Sequence, residues 1–283
     1  MTPTPEVRDA ILGVLGRAQA KYGMVLHAPV FMSNHYHLLA TIRDQKQMAE
    51  FMGYLNSNLA REIGRIVGWR DKFWSGRYSA IPVAPEEAAQ VERLQYLLSH
   101  GAKEGLVLRA EDWPGVHPAK ALLGEATLAG TWIDRTRAYE ARRHRRGADL
   151  APFSKRETVQ LTPLPCWAHL SLEEQKARVR SLLAGIQEQA EAALRDRGTQ
   201  PAGPEAIVRQ NPLTRPATVK RSPAPLVHAA TREVREWFRR AYREFTTAYR
   251  DASRRFRSGE LGVPFPPGSF PPSAPWVPSL LDP

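Results

Sequence analysis

The segment His35-Tyr36-His37 carries the side chains best suited to chemistry in this sequence of 283 residues. In a β-strand, residues two apart project from the same face, so both imidazoles could reach one metal ion. A His-x-His pair alone does not define a metal site, because such pairs are usually incidental. A third ligand from elsewhere in the chain is needed before the sequence predicts a metal centre.

His100 and Tyr96 could complete such a site from a second element. They lie four residues apart, and on a helix this spacing places both side chains on one face. His100 would supply a third imidazole, and the hydroxyl of Tyr96 could attack a phosphate gripped by the ion. In the alternative interpretation, Tyr96 packs in the core and His100 caps the C-terminus of the helix, where a partly protonated imidazole is favourable.

Two other tyrosines are candidates for a nucleophile, and the pattern favours neither. Tyr36 should point to the face opposite its flanking histidines. Tyr78 lies in the strand-like segment SGRYSA, where an aromatic contact at an interface is at least as good an interpretation. Asn34 is expected to orient the turn before the histidine strand through its side-chain amide. Tyr96 is therefore the predicted nucleophile.

The elements that must position these residues can be predicted from apolar spacing and turn residues. They are a helix over residues 4–22, an antiparallel hairpin over 24–42, a helix over 47–68, a bent strand over 72–83 and a helix over 85–100 that Gly101 ends. The histidines then lie on the second strand of the hairpin. Tyr96 and His100 can meet them if the last helix packs across that strand.

The region after about residue 115 has a different sequence pattern, in which predicted helices alternate with proline-rich stretches. Long helices are predicted over 171–197, where Ser171 and Glu174 form a capping box, and over 231–258, and the stretches between and after them are rich in proline. The arginines and aromatic residues of the second helix suit contacts with a single strand, or they belong to an ordinary packed helix with a solvated face. Cys166 is the single cysteine, so it has no cysteine partner within the chain, and we assign it no function.

The charge of the chain favours a polyanionic partner. The formal net charge is +11, and residues 141–283 carry 24 basic and 14 acidic side chains against 16 and 15 in residues 1–140. Nucleic acid and an anionic membrane surface both fit. Because the sequence has neither an apolar run of roughly 20 residues nor a signal-peptide pattern, we expect a soluble cytoplasmic protein.

Three motifs resemble one family. The segment MSNHYHLLATI resembles the MPNHVHLLV motif of HUH endonucleases, specifically the single-tyrosine transposases that include the REP-associated tyrosine transposases of bacteria. FWSGRYSAIPV is similar to a tryptophan-glycine-arginine-tyrosine stretch of that family, and YLLSHGAKEGLVLRAEDWPG aligns without a gap to YIHLNPVRAGLVERPEDYPW. The motifs occur in the family's order, and the similarity spans roughly residues 7 to 118.

The resemblance implies an α+β fold: a ferredoxin-like catalytic domain with an antiparallel sheet over residues 1–118, then a basic, mostly helical and proline-rich region over 119–283. It implies that His35, His37 and His100 hold Mg²⁺ or Mn²⁺, and that Tyr96 forms a 5′-phosphotyrosine whose reversal joins strands. The substrate would be single-stranded or hairpin DNA in the bacterial cytoplasm, near the nucleoid. The protein would act as a monomer or a homodimer.

Two of the chain's departures from the family pattern bear on the activity; Ser33 and Gly101, each in place of a proline, look tolerable. His100 stands where the family more often has asparagine or glutamine, a change that would shift metal preference toward manganese. Family members usually open with a strand before the first helix, whereas this sequence starts almost at the helix. If that strand is missing, the sheet under the site is incomplete, and the alternative function is an inactive or domesticated DNA- or RNA-binding protein derived from a transposase.

Basic residues that could contact DNA phosphates form the last set of predictions. Those predicted to do so are Arg77, Lys103 and the arginines of the run ARRHRR, which are Arg142, Arg143, Arg145 and Arg146. The alternative for the run is a solvated linker.

Overall fold

The computed structural model describes residues 1–144, 149–211 and 224–273. The chain divides into two compact units, the first formed by residues 1–80 and 85–222 and the second by residues 81–84 and 223–283. Residues on both sides of position 118 contribute to the first unit. The predicted division at 118 concerns where the family resemblance ends, and it stays a prediction.

The first unit begins with a helix, a hairpin and a second helix. Helix α1 (Pro5–Tyr22) starts at the N-cap Thr4, whose hydroxyl accepts from the backbone N–H of Val7, and ends at Gly23 with φ of 64°. Strands β1 (Val25–Phe31) and β2 (Tyr36–Thr41) pair antiparallel. Helix α2 (Gln45–Val67) follows. The helices and the hairpin lie where the sequence predicts them.

The remaining elements of the chain are mostly helical. In order they are α3 (Glu87–Leu98), α4 (Ala119–Leu122), β3 (Ala129–Ile133), α5 (Arg135–His144), β4 (Ser154–Thr158), α6 (Leu172–Arg197), α7 (Pro204–Arg209) and α8 (Arg232–Arg257). The predicted α+β class, with antiparallel sheets and a mostly helical C-terminal region, is confirmed. Within the described residues the strands form two antiparallel pairs, β1 with β2 and β3 with β4.

The strand predicted over residues 72–83 is wrong. This segment is irregular, and its single bridge joins Val83 to His228. Within the segment, the indole N–H of Trp74 donates to the backbone carbonyl of Asn56 on α2 at 2.9 Å. The aromatic residues of this segment are typical of strands, which is why a strand was predicted. A strand also needs a neighbouring backbone to pair with.

The hairpin of β1 and β2 has helices on both faces, and its alternation decides which residues meet which helix. Phe31 of β1 and its partner Tyr36 stack with ring centres 4.9 Å apart and pack in the core of α1 and α2. Val30, the partner of His37, packs in the other core, with Leu94 and residues of α6. His37 therefore faces the side of the hairpin where α3 lies.

The edge of β1 opposite β2 is covered by segments from later in the chain. The N–H of Phe31 donates to the carbonyl of Val116 at 2.9 Å, and the N–H of Thr162 donates to the carbonyl of Leu26 at 2.8 Å. His27 is buried in β1, with Nδ1 2.9 Å from the carbonyl oxygen of Thr162. The backbone groups at both ends of this edge are thus paired by residues outside the hairpin.

Helix α1 also approaches β3 closely, at two glycines. A Cβ built on Gly13 would lie well under 3.0 Å from the backbone oxygen of Thr131, and one on Gly130 equally close to the backbone oxygen of Asp9. Only residues without a side chain allow this packing of helix on strand. Two parts of the chain more than a hundred residues apart are joined here.

The second unit is built around α8, an amphipathic helix that begins at the N-cap Thr231. Tyr249 contacts Phe265, with ring centres 5.6 Å apart, and its hydroxyl donates to the carbonyl of Phe270 at 3.1 Å. Trp237 and Tyr242 are exposed. Among the described residues, no helix is both long enough and apolar enough to cross a membrane.

Candidate functional site

Three imidazoles converge at the surface of the first unit. One ring nitrogen from each of His35, His37 and His100 lies within 4.8 Å of the others. Bonds of roughly 2.1 Å to one ion require nitrogens roughly 3 to 4 Å apart, so small rotations of the rings would suffice to close the site. The triad predicted from the sequence is therefore assembled in space by a turn, a strand and the end of a helix.

The local structure explains how each imidazole reaches this place. His37 is the second residue of β2, as predicted, but His35 lies in the turn before that strand and not on it, and His100 follows the C-cap Ser99 of α3. The ring centres of His37 and His100 are 4.6 Å apart, and those of His35 and His37 are 5.0 Å apart. The packing of α3 against the hairpin brings His100 next to His35 and His37, which lie more than sixty positions earlier in the sequence.

Hydrogen bonds fix the orientation of two of the rings. The Nδ1 atom of His100 lies 2.9 Å from the carbonyl oxygen of Tyr96 and 3.2 Å from that of Leu97. Carbonyls only accept, so Nδ1 carries the proton and Nε2 keeps its lone pair. Likewise, Nδ1 of His35 lies 2.6 Å from the side-chain oxygen of Asn34, which leaves Nε2 of His35 as the potential ligand atom.

The position of His100 is compatible with both roles considered for it. It bonds the carbonyls at the end of α3, as in the capping alternative, and it presents Nε2 to the other histidines. It is buried, with 2% of its surface exposed. The two interpretations do not exclude one another, because each uses a different ring nitrogen.

The histidines are held in their neutral forms. Burial lowers the pKa of His37 to about 3, and the nearby His100 and His35 add to this effect. Burial likewise lowers the pKa of His100 to about 4, with a further contribution from the ammonium of Lys103. The pKa of His35 is also lowered by burial, against the opposing effect of the Glu104 carboxylate. Neutral imidazoles at pH 7 have the lone pairs that a metal ion needs.

Tyr96 stands beside this cluster and is accessible. Its side chain is 39% exposed, and its ring centre lies 4.8 Å from that of His100 and 5.8 Å from that of His37. The alternative in which Tyr96 packs in the core is therefore wrong. The reason is its position on α3: Leu94, Leu97 and Leu98 take the buried face, and Tyr96 lies on the side toward the histidines.

Two cations flank the phenol of Tyr96. The ammonium nitrogen of Lys103 lies 3.7 Å from the ring centre, and the guanidinium carbon of Arg93 lies 4.6 Å from it. Lys103 was predicted from the sequence as a DNA contact, but Arg93 was missed. Its spacing of three residues from Tyr96 on a helix could have revealed it. Together they place two positive charges beside the phenol, where an anionic group would be favoured.

Glu104 is a further residue that the sequence did not single out. Its carboxylate accepts from the backbone N–H of Gly101 at 2.6 Å and lies 3.7 Å from the ammonium of Lys103. Gly101 has φ of 89°, a value that side chains rarely adopt, so the turn after His100 depends on this glycine. Glu104 ties the turn together and balances the charge of Lys103.

The other residues predicted to contact DNA lie in different parts of the chain, and the structure describes only some of them. Arg77 is exposed, with its guanidinium carbon 5.7 Å from the ring centre of Tyr78, in a segment next to the histidines. Arg143 is an exposed residue of α5. Arg145, Arg146 and the side chain of Arg142 lie outside the residues that the structure describes.

Tyr36 points away from the histidines, as predicted. Its hydroxyl donates to the side-chain oxygen of Asn56 at 2.7 Å, and burial raises its pKa to about 12 despite that hydrogen bond. A partly buried phenol whose hydroxyl is held by an amide and whose pKa is raised is a poor nucleophile. Of Tyr36 and Tyr96, only Tyr96 combines accessibility with contact to the triad.

One of three comparisons with known proteins finds a match. The sequence model of the family described as "Transposase IS200 like" matches residues 3–97, about a third of the chain. The match includes His35, His37 and Tyr96 and stops before His100. The comparisons with curated proteins and with solved structures give no match.

Proposed function

We propose that the chain cuts and rejoins single-stranded DNA through a covalent bond between DNA and Tyr96, because residues 3–97 match the family of IS200-like transposases. A transposase-type function that acts on DNA follows from the family. The covalent mechanism, the metal and the form of the DNA are the proposal. The observation that carries it is the juxtaposition of the accessible phenol of Tyr96 with three neutral imidazoles.

The residues fit a divalent cation, which we propose to be Mg²⁺ or Mn²⁺. His35 and His100 each have Nδ1 engaged by an oxygen, so that Nε2 is presented with its lone pair. His37 contributes from β2. A cation bound there would polarise the phosphoryl oxygens of the scissile phosphate. Three imidazoles favour manganese over magnesium, since nitrogen ligands suit softer ions.

The chain's own residues account for the remaining chemistry. The phenol oxygen of Tyr96 attacks phosphorus, and its proton passes to water. A bond between Tyr96 and the 5′ phosphate forms, the bond from phosphorus to the 3′ oxygen breaks, and that oxygen leaves as a free 3′-hydroxyl after taking a proton. Attack of a 3′-hydroxyl on the phosphotyrosine reverses the step and joins strands. Lys103 and Arg93 would hold the phosphate against the phenol.

A covalent-adduct assay tests this function. The full chain is incubated with end-labelled single-stranded DNA that carries hairpins, in Mn²⁺, and analysed on denaturing gels beside Tyr96→Phe. We expect an adduct with the native chain and none with the variant, although both bind DNA equally. Adducts that persist in Tyr96→Phe, or map to another tyrosine, would overturn the assignment of the nucleophile.

The second candidate is a nucleic-acid-binding protein derived from a transposase, whose site is idle. The net charge of +11 supports it as well as it supports the nuclease. Salt-sensitive binding of DNA or RNA without an adduct in Mn²⁺ or Mg²⁺ would favour it. In either case we place the protein in the bacterial cytoplasm at the nucleoid, acting as a monomer or homodimer.

A further inference from the structure

A pocket of about 450 Å³ adjoins the histidine cluster in the first unit. It lies between the turn before β2, helix α2 and the irregular segment after that helix. Aromatic rings, amides and hydroxyls line it, including those of Tyr36, Trp74, Tyr78, Asn34, Asn56 and Ser57. His35 lines it too and belongs to the triad as well, so the two sites share a side chain.

The walls of the pocket are held by direct contacts. The hydroxyl of Tyr36 and the indole N–H of Trp74 both donate to Asn56, the first to its side-chain oxygen and the second to its backbone oxygen. The two rings meet edge to face with centres 5.5 Å apart. Because the side-chain oxygen of Asn56 accepts from Tyr36, its amide nitrogen is left as a donor toward a ligand.

Two glycines leave the pocket open. A Cβ built on Gly53 of α2, or on Gly76, would meet no heavy atom within 4 Å. A larger residue at either position would therefore meet no steric obstacle, and its side chain would fill part of the pocket. The volume lies within the range of about 300 to 1,000 Å³ that small-ligand pockets occupy.

We infer that this pocket receives one unstacked base of the DNA strand whose phosphate lies at Tyr96, an inference that rests on the proposed function. Aromatic rings stack on any base, and amides and hydroxyls can pair with its edge. The shared His35 places the pocket within one nucleotide's reach of the triad. Arg77, which also lines the pocket, can contact the phosphate that joins the two.

Filling the pocket tests the inference without removing any contact. Gly53→Leu adds a side chain in a helix where nothing obstructs it, and leucine favours a helix more than glycine does. Gly185→Leu is the matched control, since Gly185 lies in α6 and a Cβ there also meets nothing within 4 Å. Both variants are made in the Tyr96→Phe chain, so that binding is measured apart from cleavage.

The probe is a random-sequence single-stranded oligodeoxynucleotide that contains 5-iodouracil. Ultraviolet cross-linking followed by mass spectrometry should find adducts on Trp74, Tyr36 or Tyr78. Gly53→Leu should reduce these adducts and weaken binding roughly fivefold or more, the loss of one stacked base, and Gly185→Leu should leave both unchanged.

Other results would overturn the inference. Cross-links found only outside the pocket, for example on Trp237 or Tyr242 of α8, would do so, as would equal adduct yields in Gly53→Leu and its control. Cross-linking of the corresponding RNA but not of DNA would also contradict it. The covalent-adduct assay is a separate test. A missing Tyr96 adduct with intact pocket cross-links refutes the proposed chemistry. A Tyr96 adduct without pocket cross-links refutes the base-binding role of the pocket.

Discussion

The ammonium nitrogen of Lys103 lies 3.3 Å from Nε2 of His100, the atom with which this imidazole would bind a metal ion. An ammonium can donate to this lone pair, and its positive charge opposes a second cation nearby. The same ammonium lies against the ring of Tyr96. Lys103 is thus positioned to compete with a metal ion at His100 and to hold a phosphate at Tyr96.

Replacing Lys103 with methionine should separate these two effects. Without the ammonium, we expect Mn²⁺ to bind roughly tenfold more tightly, a modest fraction of the bare Coulomb energy because Lys103 is partly exposed. The rate of covalent adduct formation should fall, since a phosphate contact is lost. Calorimetric titration with Mn²⁺ and single-turnover adduct assays measure the two quantities. Weaker Mn²⁺ binding in Lys103→Met would contradict this account.

The identity of residue 100 should set the preference between metals. We expect the native chain to form more adduct in Mn²⁺ than in Mg²⁺, and His100→Asn to reduce that ratio at least about threefold, because an amide oxygen suits the harder ion. Adduct yield is measured across a titration of each metal. His100→Leu is the control, which should lose activity in both. An unchanged metal ratio in His100→Asn would show that His100 is not a ligand.

His117 should make the protein sensitive to mild acid. Its burial lowers its pKa to about 3, although the nearby carbonyl of Leu98 acts in the opposite direction. The folded pKa is below the unfolded value of about 6.5, so the unfolded chain takes up the proton first as pH falls. Folding stability is then unaffected above about pH 6.5 and decreases below it, by about 2 kcal/mol from this residue between pH 7 and pH 5.

Chemical denaturation of native protein and His117→Asn at both pH values provides the measurement. Asparagine cannot titrate, and its side-chain oxygen can still accept the N–H of Ala119 that Nδ1 of His117 accepts now. The variant should lose less stability between pH 7 and pH 5 than the native chain does. Parallel losses in the two proteins would assign the acid sensitivity to other groups.

The contact between α1 and β3 should not tolerate a methyl group. In Gly13→Ala, the new Cβ would overlap the backbone oxygen of Thr131, and relieving this overlap by moving the helix should cost about 1 to 3 kcal/mol. Gly185→Ala, in a helix where a Cβ meets nothing, should instead stabilise by up to about 1 kcal/mol. Urea denaturation of both variants tests the prediction. A neutral Gly13→Ala would show that α1 and β3 are not packed this closely.

The sequence by itself determined the local arrangement of the chemistry. A spacing of two places His35, in the turn before β2, close to His37 on that strand, and a spacing of four places Tyr96 and His100 on one side at the end of α3. These relationships depend on local backbone geometry: a turn that leads into a strand, and the last turn of a helix. The three motifs that carry the family resemblance can be recognised in the sequence because each is a continuous run of residues.

Only the tertiary structure decided which of these groups meet. Val30 and Leu94 share a core that brings α3 onto the hairpin, and no local pattern predicts that packing. The same holds for Lys103 against His100, for Val116 and Thr162 at the edge of β1, and for the pocket beside Trp74. Residues 72–83 were predicted to form a strand and do not form one. A strand needs hydrogen bonds to the backbone of a neighbouring strand, and the sequence of the segment itself does not reveal whether such a neighbour is present.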